Sequence, residues 1–120
     1  MVNIKQLFRS FKNAFSGLFS VIKKEQNFRL HLIAAIAVIF LSVYFQIKTW
    51  QWCLIILMIT AVFILEMLNT IVERLVDMLQ PRVHQYVKEI KDIMSAVVLI
   101  TALASVAVAL LIFGPIIWLN

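Results

Sequence analysis

From Glu66 to Asp77 the chain reads Glu-Met-Leu-Asn-Thr-Ile-Val-Glu-Arg-Leu-Val-Asp, and this stretch holds three of the six acidic residues in the sequence. It closes a long apolar run, a setting in which an unpaired carboxylate is costly. On an α-helix, positions i, i+3, i+4, i+7 and i+11 share a face. Glu66, Asn69, Thr70, Glu73 and Asp77 therefore make a polar stripe, while Leu65, Leu68, Val72, Leu75, Val76 and Leu79 take the other sides. Two kinds of chemistry suit such a stripe. Hard cations such as Mg²⁺ bind through one or two carboxylates together with substrate phosphates. A partly desolvated carboxylate in reach of a hydroxyl can act as a general base.

The elements that position these groups must be membrane helices. The chain has 120 residues, of which 63% are hydrophobic and 14% charged, with a mean hydropathy of +0.99. A water-soluble domain of this size has too high a surface-to-volume ratio to hide that much apolar surface. The single cysteine, Cys53, lies in an apolar segment and reads as a small core or lipid-facing residue, which excludes a disulfide framework or a cysteine zinc site. There are two glycines, Gly17 and Gly114, so no glycine-rich nucleotide loop can be built and any nucleotide must be held by side chains and metal. The net charge of +5 reads as orientation in a bilayer, and no nucleic acid partner is expected. Charges interrupt every apolar stretch before residue 30, so no cleaved signal peptide is expected.

Residues 2–23 place Ile4, Leu7, Phe8, Phe11, Phe15, Leu18, Phe19 and Ile22 at helical spacing, with lysines, Arg9, Asn13 and Ser16 mostly between them. This predicts an amphipathic basic helix lying on the membrane surface. The uncharged run over 32–47 spans roughly 24 Å as a helix, short of a roughly 30 Å hydrocarbon core, so the first crossing is expected to start near Asn27. That start puts Arg29 and His31 at headgroup level, where long side chains snorkel. A tight connection over 46–49 leads to Trp50 and Trp52, both suited to an aromatic belt. The second crossing runs from Thr49, leaves the hydrocarbon near Glu66, and is expected to end at Pro81. After a polar segment over 82–92, in which His84 reads as a loop residue, the third crossing covers 93–118, with Gly114-Pro115 loosening its far end. Thr101, Ser105 and Ala109 repeat every four residues, a spacing that favours close helix association, between subunits as one option. No linker or internal repeat divides residues 1–120. The expected fold is an all-α membrane protein: one domain, a surface helix followed by three transmembrane helices.

With the N-terminus in the cytoplasm, every one of the eleven Lys and Arg residues except Lys48 falls on the cytoplasmic side, a strong positive-inside pattern. All six acidic residues fall there too, which the orientation rule does not explain. Taken singly, Glu73, Asp77 and Glu89 read as solvated helix charges, and Arg74 as an i, i+3 partner for Asp77. Taken together, Glu25, Glu66, Glu73, Asp77 and Asp92, with Lys91 nearby, suggest a site. Antiparallel packing of the first two crossings brings Glu25 and Glu73 to similar depth, where they can share a divalent cation. A lysine at that level can hold phosphate, and Glu66, a turn or two deeper, meets a lipid headgroup. The residues thus point to metal-nucleotide chemistry on a lipid hydroxyl at the inner interface.

Glu66-x-x-Asn69-Thr70-x-x-Glu73-x-x-x-Asp77, followed by Lys91-Asp92 and Ser95-Ala96, resembles the signature of the small bacterial integral-membrane diacylglycerol kinase and undecaprenol kinase family. Gly17-Leu18 and Glu25-x-Asn27-Phe28-Arg29-x-His31 resemble its N-terminal pattern, the latter looking more like the undecaprenol branch. The resemblance implies a homotrimer in the bacterial inner membrane, multi-pass with a cytoplasmic N-terminus, transferring the ATP γ-phosphoryl group to a lipid alcohol with Mg²⁺. It implies Glu66 as the catalytic base, Glu25 and Glu73 as metal-binding carboxylates, and Lys91 and Asp92 as nucleotide contacts. Asn13 occupies the place of an aromatic nucleotide contact in some members, Ser95 falls beside the lipid substrate, and Asn69 and Asp77 support the site.

Two other classes compete. A small transport or helper protein would use Glu66 to bind protons or cations near the bilayer centre, accessible from both sides. A purely structural oligomer built on Thr101, Ser105 and Ala109 gives no reason for Glu25, Glu73 and Asp92 to gather.

Overall fold

The computed structural model describes residues 1–80, 82 and 84–119, with the backbone alone at His84. Four helices follow one another: α1 (Ile4–Lys24), α2 (Gln26–Tyr44), α3 (Thr49–Asp77) and α4 (His84–Leu119). Of these, α2, α3 and residues 85–119 of α4 are long and apolar enough to cross a membrane. The first crossing begins at Gln26, one residue before the expected start.

Asn3 starts α1, its Oδ1 accepting the Gln6 N–H at 3.2 Å and so satisfying one of the free donors of the first turn. Glu25 has an extended backbone and separates α1 from α2. Across this joint Arg29 Nη1 donates to the Ile22 and Lys23 carbonyls at 2.9 and 2.7 Å. These are carbonyls that the end of α1 leaves unpaired. Arg29 therefore caps a helix terminus.

A Schellman turn ends α2. The Ile47 N–H reaches Ser42 O and the Gln46 N–H reaches Val43 O, both at 3.2 Å, with Gln46 left-handed at φ 51°. Gln51 Oε1 then accepts the Lys48 N–H at 2.8 Å and opens α3. At this end of the bundle Ile47, Ile55, Ile112 and Phe113 form a buried cluster, joining the start of α3 to the end of α4. Trp52 packs against that cluster, whereas Trp50 and Trp118 are exposed.

Three sequence expectations change here. Helix α3 ends at Asp77, short of the expected stop; Pro81 itself lies outside the described residues. His84 opens α4 instead of lying in a loop, because the polar segment 84–92 is helical and extends the third crossing toward its N-terminus. Pro115 is helical, and α4 runs through Gly114 to Leu119. A proline so close to a helix end removes one hydrogen bond and no more than the last turn depends on it.

Candidate active site at the α2–α3 contact

Helix α3 presents the polar stripe as its spacing requires, and the structure divides it into a deep part and an outer part. Glu66 is deep, 4% exposed, and Thr70 beside it is equally buried. The Thr70 hydroxyl donates to the Glu66 carbonyl at 3.1 Å, satisfying itself within the helix. One turn outward, Asn69 Nδ2 donates to Glu73 Oε1 at 3.4 Å. Asn69 Oδ1 is buried with no partner.

Helix α2 supplies what the sequence reading left out. His31 Nε2 lies 3.0 Å from Glu66 Oε1. The contact is set by the pair below it: Phe28 is 2% exposed, and its ring centroid stands 5.1 Å from that of Phe63. Phe28 and His31 are i, i+3 on α2, as Phe63 and Glu66 are on α3, so the aromatic pair and the polar pair belong to one helix–helix contact. A signal for His31 did exist in the sequence: ionisable residues near the start of a crossing usually face the protein interior and pair there.

The outer groups also choose partners across elements. Arg74 Nη2 approaches Glu25 Oε1 at 3.9 Å, and Lys91 Nζ of α4 reaches Asp77 Oδ1 at 2.6 Å. The expected Arg74–Asp77 pair does not form, because each side chain finds an opposite charge on a neighbouring element. The Arg74 contact brings the α1–α2 joint up to the outer end of α3, as antiparallel packing requires. Asp92, by contrast, turns back along its own helix to Lys88 at 3.4 Å. Lys91 and Asp92 thus point to different surroundings. Asn13 and Ser95 are exposed, and among the described residues neither joins the cluster by a hydrogen bond or ion pair.

Beneath the polar groups lies a cavity of about 150 Å³ between α2, α3 and α4. His31 is at its polar end; Ala35, Val62 and Phe63 form apolar walls, and Ser105 and Ala109 close it from α4. These two members of the small-residue repeat therefore face the chain's own bundle. The buried carboxylate of Glu66 is joined to this space through His31, its partner at 3.0 Å, which lines the cavity.

Among the described residues no three His, Cys, Asp or Glu side chains form a ready-made metal cage. A Mg²⁺ ion shared with nucleotide phosphates does not need one. The half-buried Glu73 carboxylate and the unpartnered Asn69 Oδ1 are hard oxygen donors one helical turn apart, with Glu25 brought to the same end of α3. Their chemistry fits such an ion.

A sequence model of the family described as prokaryotic diacylglycerol kinase matches residues 12–113. The chain belongs to that family. Among its relatives, an undecaprenol kinase of Bacillus subtilis (strain 168) is 34% identical over 112 residues, covering 93% of this chain and 91% of the relative. A diacylglycerol kinase of Synechocystis sp. is 32% identical over 100 residues, covering 82% of this chain and 57% of that longer relative.

Proposed function

We propose that this chain is an ATP- and Mg²⁺-dependent lipid kinase that phosphorylates undecaprenol in preference to diacylglycerol, at the cytoplasmic face of the bacterial inner membrane. The observation that carries the reading is the position of Glu66: a buried carboxylate paired at 3.0 Å with His31, a residue that lines the apolar cavity, on the helix that carries Glu73 and Asp77 further out. Its place on α3 supports an interfacial location. Seventeen residues separate it from Thr49, roughly 25 Å along the helix, so it lies well past the middle of a roughly 30 Å hydrocarbon core. A transport role would need it near the centre.

In the proposed reaction Glu66 accepts the proton of the lipid hydroxyl as that oxygen bonds to the γ-phosphorus. The bond from the γ-phosphorus to the bridging oxygen breaks, and ADP leaves. Glu73, Asn69 and Glu25 would hold Mg²⁺, which when bound with ATP neutralises charge on the phosphates. Lys91 holds phosphate as a point charge, with Asp92 beside the nucleotide and Ser95 beside the lipid. The acceptor's hydrocarbon lies against the apolar surface below Glu66. Helix α1, with Phe8, Phe11, Phe15 and Phe19 exposed, lies amphipathically on the membrane surface, the N-terminus is cytoplasmic, and the working unit is a homotrimer.

The test is transfer from γ-labelled ATP with Mg²⁺ by the purified protein in mixed micelles, with undecaprenol and diacylglycerol offered separately. Labelled lipid phosphate is expected with undecaprenol as the better acceptor, and its loss is expected in Glu66→Gln. No product with either lipid, from folded protein, would overturn the assignment.

A further inference from the structure

We propose that His31 is a positioning residue for this reaction, holding one oxygen of the Glu66 carboxylate so that the other is presented to the acceptor hydroxyl. The proposal rests on Glu66 being the base.

A carboxylate as buried as that of Glu66 needs a hydrogen-bonding partner or it destabilises the fold. Among the described residues, His31 is the one basic side chain within ion-pair distance of it, with Nε2 3.0 Å from Oε1. Arg74 and Lys91, the cations expected to serve this region, are turned to Glu25 and Asp77. The imidazole itself is anchored. It stands one turn along α2 from Phe28, which is fixed against Phe63, and it forms the polar end of the apolar cavity. The His31 side chain is 29% exposed against 5% for Glu66, so the ring is the more accessible member of the pair.

The residue type suits the task. A neutral imidazole can donate one N–H and so orient a carboxylate while leaving it free to take up a proton. A lysine or arginine in the same place would carry a permanent charge, favour the ionised carboxylate strongly, and oppose proton uptake. The Thr70 hydroxyl cannot substitute, because it is committed to the Glu66 carbonyl. With Oε1 held from α2, the carboxylate loses rotational freedom and its second oxygen keeps one direction. Misplacement of a reacting group by about 1 Å can cost on the order of 100-fold in rate.

The experiment compares the full-length wild-type protein with His31→Phe, His31→Gln, Glu66→Gln and the double variant His31→Phe/Glu66→Gln in the undecaprenol assay, measuring kcat and lipid KM separately. His31→Phe keeps a ring but removes the donor, and its kcat should fall about 10- to 100-fold while KM stays within about twofold. His31→Gln places an amide N–H near the former Nε2 and should recover kcat to within about fivefold of wild type. Because His31 acts through Glu66, adding His31→Phe to Glu66→Gln should cause no further loss. Glu66→Gln inactive with His31→Phe unchanged overturns the inference and leaves the base assignment standing. An active Glu66→Gln overturns both. Additive losses, or a Gln variant as slow as the Phe variant, overturn the positioning role. If His31→Phe does not fold by circular dichroism, His31→Asn replaces it: its shorter amide should give a lower kcat than Gln, and equal values overturn the proposal.

Discussion

Lys91 has two roles that a single experiment can separate: it ties α4 to α3 through Asp77, and it is proposed to hold phosphate. The pair is close, Nζ to Oδ1 at 2.6 Å, but its side chains are 36% and 54% exposed. Exposed pairs of this kind contribute about 0.2–1 kcal/mol, after screening and side-chain entropy are taken into account. Breaking the pair from either side should therefore lower unfolding stability by no more than about 1 kcal/mol. A hydrogen bond from a lysine to a charged phosphate is worth about 1.5–3 kcal/mol, or roughly 10- to 150-fold in rate. Lys91→Met should lose that factor in kcat/KM for ATP, whereas Asp77→Asn, which breaks the same pair and keeps the lysine, should lose no more than about fivefold. Both variants are to be measured for thermal unfolding in the micelles used for the kinase assay. Equal activity losses in the two, tracking equal losses of stability, would refute the phosphate role and leave Lys91 as a strut between helices.

Two further outcomes follow from side chains whose surroundings are plain. Asn69→Leu removes the unpartnered Oδ1 and the donor to Glu73; the Mg²⁺ concentration needed for half-maximal activity should rise about tenfold or more, and an unchanged Mg²⁺ titration would remove Asn69 from the metal site. Gln46→Gly relieves a left-handed backbone at φ 51°, a conformation costing a non-glycine residue about 1–2 kcal/mol. Part of that gain is offset by the freer unfolded chain, so stability should rise by about 0.5–1 kcal/mol, read as a higher unfolding temperature at unchanged activity; a lower one would contradict the turn geometry.

Much of the fold was legible because it follows from local rules. The length of each apolar run sets where a helix can cross, and α2 began within a residue of its expected start at Asn27. The stripe from Glu66 to Asp77 was legible for the same reason, since 3.6 residues per turn dictate which side chains of one helix share a face. Helix ends were less legible. The polar segment 84–92 proved helical, as charged residues form helices readily and hydropathy reports only what enters lipid.

The partners of the site residues were decided by tertiary structure. Arg74 and Asp77, one turn apart, were natural partners on a single helix, yet Arg74 meets Glu25 and Asp77 meets Lys91. Ser105 and Ala109 looked as suited to a neighbouring subunit as to their own, and they face their own α2 and α3. Trp52, one of two tryptophans at the start of α3, packs against the cluster of Ile47, Ile55, Ile112 and Phe113, whereas Trp50 is exposed. His31 met Glu66, 35 positions along the chain, through the packing of α2 on α3. By itself the sequence determined the number of crossings, the charge asymmetry and the face that carries the carboxylates, because each depends on composition and on the period of one helix. The rotation and register of each helix against the next depend on side chains remote in sequence, such as Phe28 on Phe63, and only the packed structure sets them.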